Sequence, residues 1–314
     1  IFIYKGGLEP EIFNKISKKV DYNFILDHEI TPGQNLSIYM NQVSGNFFEE
    51  TFKHIDGYFC VNKKVYNVAK KTLGKKIRGK VYLTGWPRND LFKSKYSKIY
   101  FQKAKEIKKK YKQFILFSSD FAYISKFRDN TAKEFINFGS SKNFEKKKKA
   151  ELEISNFNFN DFTHTVKFLN IISKKINKKI VVRAHPADNI EVWREKLSNN
   201  QNLVFREPND DIHPWILASD SYLHRGCTTS MQAFYLKKKI GYLDLYKKNK
   251  YLRKFVYDFS EKIYNENTFF KWLKQKKNKK KNKYKNVIKE LNIKRLDSAE
   301  IISNIFSNLK VTKE

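Results

Sequence analysis

Residues 219–233, SDSYLHRGCTTSMQA, decide the fold. A short apolar strand ends at Leu223 and His224. A tight turn follows at Arg225, Gly226 and Cys227. The hydroxyl cluster Thr228, Thr229 and Ser230 then opens a helix that continues through Met231, Ala233, Phe234, Tyr235 and Leu236. Strand, glycine turn and helix N-terminus make up one βα step of a parallel sheet. Free N–H groups and hydroxyls at such a turn suit an anion, and phosphate best of all. The competing reading is an ordinary Thr N-cap on an α/β helix.

Working outward, the same alternation recurs along the chain. Strands are expected near residues 1–4, 22–26, 57–61, 80–83, 114–117, 179–183, 203–205 and 239–243, the last of them closing the series. Helices fall between, at 9–20, 44–54, 63–73, 94–112, 159–174, 191–197 and 212–219, with Pro214 in the first turn of the last. A lysine-rich stretch over about 122–158 reads as irregular, and a helical tail covers roughly 286–310. The pattern predicts an α/β protein of two Rossmann-like domains facing a cleft, residues 1–105 and 106–314. The opening IFIYKGG reads as mid-strand, so a further strand and helix are expected upstream of Ile1.

Composition bounds the function. With 314 residues and 27 Phe and 18 Tyr, the chain can bury two substantial cores. The formal net charge of +32 admits nucleic acid or an anionic surface as partner. Much of the lysine, however, lies in solvated runs at 146–149 and 271–285. The basic runs also carry no recognisable nucleic-acid motif, so we expect no nucleic-acid partner. Attraction to anionic headgroups at the inner membrane face stays open. Cys60 and Cys227 stand far apart with no metal-ligand spacing, which fits a reducing cytoplasm. No run approaches the ~18 apolar residues of a membrane span. We expect no metal and no cofactor beyond the substrate.

The polar residues collect where strands end, which is where ligands sit in such sheets. Arg183 and His185 follow the strand KKIVV and could stabilise a phosphate leaving group. Asp27-His28-Glu29 ends another strand. Glu29 is the candidate general base for an acceptor hydroxyl, against a reading of the cluster as a cap. Arg88, in the turn GWPRND, could hold a phosphate through its fork. His224, Gly226, Thr228, Thr229 and Ser230 complete the phosphate candidates. Ser118, Ser119 and Pro214 are further cleft candidates.

Taken in order, these motifs resemble a bacterial family of surface carbohydrate biosynthesis proteins. The matching pieces are Lys5-Gly6-Gly7, Asp27-His28-Glu29, GWPRNDLF from Gly85, FILFSSDF from Phe114, RAHPAD from Arg183, Trp193, PWIL from Pro214, and HRGCTTSMQA from His224. The resemblance spans roughly residues 1–245. It implies a GT-B-like glycosyltransferase, similar in plan to capsule and teichoic-acid polymer transferases. Such an enzyme would move a sugar, without a metal, from a nucleotide-sugar donor to a cell-surface polysaccharide, a lipopolysaccharide glycan or another lipid-linked glycan acceptor. A CDP-polyol phosphotransferase of the same architecture is the alternative, followed by a non-enzymatic nucleic-acid binder. Two positions depart from the family pattern: His28 in the acidic turn, and Gln232 where an acidic residue often contacts the donor ribose.

Overall fold

The computed structural model describes residues 1–4, 10–26, 49–121, 144–186, 188–197, 200–207, 210–246, 254–275 and 297–309. Contacts divide the chain into two compact units, Ile1–Tyr96 with Lys280–Glu314, and Ser97–Lys279.

In the first unit β1 (Phe2–Tyr4), α1 (Pro10–Ser17), β2 (Asn23–Leu26), β3 (Gly57–Cys60), α2 (Lys63–Thr72) and β4 (Lys80–Leu83) alternate, followed by α3 (Pro87–Asp90). All pairings are parallel, in the order β1-β2-β3-β4. β3 is buried along its whole length, as a strand covered on both faces must be. A Cβ on Gly57 would lie 2.5 Å from the Phe24 ring, so only glycine lets that ring lie across the strand. Asn62 caps α2 by accepting from the Val65 N–H at 2.9 Å.

The short helix α4 (Ser94–Ser97) ends at the first residue of the second unit, which continues with a 3-10 turn at Lys98–Tyr100 and α5 (Phe101–Tyr111). It continues β5 (Phe114–Ser118), α6 (Phe144–Lys175), β6 (Lys179–Arg183), α7 (Ile190–Leu197), β7 (Leu203–Arg206), α8 (Ile212–Ala218), β8 (Ser221–His224), α9 (Ser230–Tyr235), β9 (Lys239–Leu243), α10 (Lys254–Asp258), β10 (Glu261–Ile263) and α11 (Glu266–Lys274). Its six parallel strands run β10-β9-β8-β5-β6-β7. The chain winds from β5 out to β7, then returns to the other side of β5 with β8. The winding direction therefore reverses between β5 and β8, the doubly wound order of a Rossmann unit. The α/β class and the two Rossmann-like units match the expectation.

Three details differ from the sequence reading. The irregular stretch expected up to residue 158 is helical from Phe144, because Lys and Glu are good helix formers even without an apolar stripe. β9 is not the last strand. β10, of sequence EKI, is too short for its alternation to register, yet it pairs with β9 from Glu261↔Gly241 to Ile263↔Leu243. The sequence reading places the helical tail in the second domain. Its helix α12 (Ser298–Ser307) instead packs on the first unit's sheet, with Phe306 edge-on to Phe24 at 5.0 Å. Asp297, just before α12, accepts from Lys93 Nζ at 2.6 Å and Tyr96 OH at 2.8 Å and also pairs with Lys95. These bonds hold its carboxyl well below the usual carboxylate range. Among the described residues no helix is long and apolar enough to cross a membrane.

Candidate functional site

β8, β5 and β6 are neighbours, and their register lines up His224, Ser118 and Arg183 at the carboxyl ends. The switch point of the sheet therefore gathers three polar strand ends in one place. The sequence shows these as separate turns; the topology makes them adjacent.

Backbone bonds lock the three turns together. The Arg225 N–H donates to the Ser118 carbonyl at 3.3 Å, and the Ser119 N–H donates to the Arg183 carbonyl at 3.2 Å. Ser119 Oγ accepts from the His185 N–H at 2.9 Å. Ser119 is thus a brace that orients the loop carrying His185, which itself stays half-exposed. Arg183 is buried, with Nη2 donating to the Asp210 carbonyl at 3.3 Å. Pro214 is buried in the first turn of α8, where its missing N–H costs nothing.

Gly226 adopts φ +87°, a left-handed conformation that favours glycine. A Cβ there would also lie 3.3 Å from Asp120 Oδ2. Among the described residues no carbonyl takes the N–H groups of Cys227 and Thr228. Thr229 holds the position before α9 but does not cap it. Its hydroxyl instead meets Tyr222 OH at 2.5 Å and Cys227 Sγ at 2.8 Å, since the fully buried tyrosine hydroxyl requires a partner. The ordinary Thr-cap reading is therefore set aside. Thr228 stays half-buried at the turn, and Ser230 Oγ is buried with no hydrogen-bond partner among the described residues.

His224 is a scaffold residue rather than a cationic phosphate ligand. It is fully buried, Nδ1 accepts from the Gly226 N–H at 3.2 Å, and Nε2 lies 2.9 Å from Ser260 Oγ. Burial, helped by nearby Arg225 and Lys262, pushes its imidazole down to about 3. Burial likewise pushes His213 down to about 4. Both folded values lie below the ordinary 6.5. Their contribution to stability is therefore whole above that pH and is lost as pH falls toward the folded values. We expect the melting temperature to drop between about pH 6.5 and pH 4, and the drop to shrink in His224→Gln. An unchanged slope in that variant would remove His224 as its source.

Arg88 is exposed on α3 in the first unit, and no contact ties it to Asp90, which instead pairs with Lys93 at 3.0 Å and accepts from the Ala299 N–H at 3.0 Å. Glu29, Asp27 and His28 lie outside the described residues; β2 ends at Leu26, immediately before them. The sequence reading missed Arg225, Asp161 and Asp120. Arg225 forms a buried ion pair with Asp161 of α6 and donates from Nη1 to Tyr242 OH at 2.7 Å. Asp161 sits in the run NFNFNDFTHT with no local signal, so only the fold could reveal its partner.

No family model matches the chain, and no curated protein matches it. Among solved structures, UDP-GlcNAc 2-epimerase from Methanocaldococcus jannaschii is similar at 15% identity and TM-score 0.53, over 97% of this chain and 76% of that one. The wall teichoic acid polymerase TagF (H444N variant) aligns at 13% identity and TM-score 0.49, over 91% and 68%. WaaG, a glycosyltransferase involved in lipopolysaccharide biosynthesis, aligns at 14% and 0.44, over 95% and 81%. The likeness to the epimerase is one of fold, two Rossmann-like units of the GT-B kind.

Proposed function

We propose that the switch point of the second unit binds the diphosphate of a nucleotide-linked sugar, and that the protein is a glycosyltransferase of cell-surface glycan synthesis. The observation that carries this reading is the convergence of the β5, β6 and β8 ends on one turn with a left-handed glycine and N–H groups that no carbonyl of the described residues takes. In the reaction an acceptor hydroxyl attacks the anomeric carbon, the bond to the diphosphate oxygen breaks, and the nucleoside diphosphate leaves. The N–H groups of Cys227 and Thr228, with Thr228 and Ser230 Oγ, hold the phosphate. Arg183 and His185 offset the charge that develops on the leaving oxygen. Glu29 takes the acceptor proton. Asp120, beside Gly226, supplies the carboxylate for donor hydroxyls that Gln232 does not.

The structural neighbours support a nucleotide-sugar ligand by their names alone. One acts on UDP-GlcNAc, and a TagF structure was soaked with CDPG. CDP-polyol transfer is the second reading, and the same experiment separates the two. A donor at about a hundredfold above its Kd stabilises by ~2.7 kcal/mol. We expect a UDP- or GDP-linked sugar to raise the melting temperature, and His185→Ala and Thr228→Val to weaken that donor about tenfold, a loss of ~1.4 kcal/mol, whereas a shift with a CDP-linked polyol and with neither sugar donor would favour the second reading. If no donor shifts the melt, or both variants respond like the parent, the reading fails.

A further inference from the structure

The second unit carries a strongly basic segment away from the turn at residues 224–230. Between residues 98 and 112, KIYFQKAKEIKKKYK, seven lysines face one glutamate. All seven are exposed. At the front of this helix stand two exposed apolar side chains, Ile99 at 69% and Phe101 at 45%. They are held outward by their neighbour: Tyr100 turns inward and stacks on the buried His213 ring at 4.1 Å, while Ala104 and Ile107 seat α5 on the core.

We propose that the Lys98–Tyr100 turn and α5 form a docking surface for an anionic phospholipid membrane. Lysines attract the headgroups, and Ile99 and Phe101 enter the interface, the two signals together that stable peripheral attachment needs. Beside Phe101 opens a groove of about 520 Å³ lined by Phe101, Ala104, Leu217, Lys105 and Lys108, while Lys238 Nζ, also at the groove, donates to the Leu217 and Ser219 carbonyls. Its carboxylate, Asp220, is already held by Lys108 at 2.5 Å and Lys178 at 3.4 Å. An apolar lining beside Lys105 matches a lipid phosphate with the start of its acyl chain. Nucleic acid would use the lysines but gain nothing from Ile99, which favours the membrane. This inference goes beyond the donor-site reading and does not depend on it.

The test is sedimentation of the full chain with vesicles of phosphatidylcholine alone and of phosphatidylcholine mixed with phosphatidylglycerol. The parent is expected to bind the mixed vesicles and not the neutral ones. Ile99→Ser with Phe101→Ser should weaken binding about tenfold, and Lys105→Gln with Lys109→Gln and Lys110→Gln should do so by at least as much. All five side chains are exposed, and an unchanged melting temperature checks that the variants fold. Equal binding to both vesicles, no binding to either, or variants that bind like the parent would overturn the proposal. Binding of an RNA duplex with no vesicle binding would overturn it in favour of nucleic acid. No donor is present in this assay, so its failure leaves the donor site untouched, and a failed donor screen leaves this surface untouched.

Discussion

Arg225→Met is expected to destabilise the second unit by about 3–5 kcal/mol, the cost of leaving a buried charge without its partner. The Arg225 side chain is 7% exposed and that of Asp161 1%, so neither can turn to water. Burial raises the Asp161 carboxyl above its ordinary value, and the guanidinium pulls the other way. The same guanidinium bonds Tyr242 OH at 2.7 Å and lies over the Phe121 and Phe157 rings at 5.9 and 6.0 Å. Its loss therefore removes a charge partner, a hydrogen bond and two ring contacts at once. In a unit of this size the drop in melting temperature is on the order of 10 °C. The double variant Arg225→Met with Asp161→Leu should recover much of the loss, because removing both charges ends the uncompensated burial. A single-variant cost below about 1 kcal/mol, in the range of an exposed pair, would show that the pair does not hold the turn. Thermal or urea unfolding of the three proteins decides it.

Trp193→Ala is expected to cost about 3–5 kcal/mol as well, by a different route. Trp193 is fully buried on α7 and packs against Phe162, Phe117 and Phe121 with ring centroids at 4.8, 5.7 and 6.0 Å. Truncation leaves a cavity in the largest core cluster of the described residues. It also removes the Nε1 donor that Asp188 Oδ2 accepts at 2.8 Å. Asp188 lies in the loop after His185, and its N–H donates to the His185 carbonyl at 2.8 Å. The tryptophan thus ties a core helix to the loop that carries a proposed donor ligand. Trp193→Phe separates the two effects: it keeps most of the packing and loses only the donor, for about 1–3 kcal/mol. If both variants melt like the parent, the latch is not structural. Donor affinity, read on folded protein, should fall in Trp193→Phe more than in a core substitution remote from the loop, such as Phe269→Leu.

Much of the fold was legible because its strands are local signals. FILFS at 114–118 is buried from end to end, and a continuous apolar run bounded by polar turns can be read without knowing its neighbours. β10 was not legible, since three residues carry no period. The lysine run at 146–149 reads as a solvated coil, yet it belongs to the 32-residue helix α6. The site was legible as separate turns. Ser118, Ser119, Arg183, His185 and Gly226 were all singled out, but their assembly was not, nor was the different role of His224. A histidine at a strand end looks the same in sequence whether its ring meets solvent or a buried Ser260.

The turn at residues 219–233 shows how the two sources divide. The sequence by itself determined the strand, the glycine and the hydroxyl cluster, because backbone propensity and the special φ of Gly226 are properties of neighbouring residues. Only the tertiary structure decided what those groups do. Thr229 bonds Tyr222 instead of capping α9, His224 is neutral and enclosed, and Arg225 pairs with Asp161 on a distant helix. Those outcomes depend on burial and on partners far along the chain. Desolvation sets the cost of leaving each polar group unmatched, and only the packed sheet determines which match is within reach.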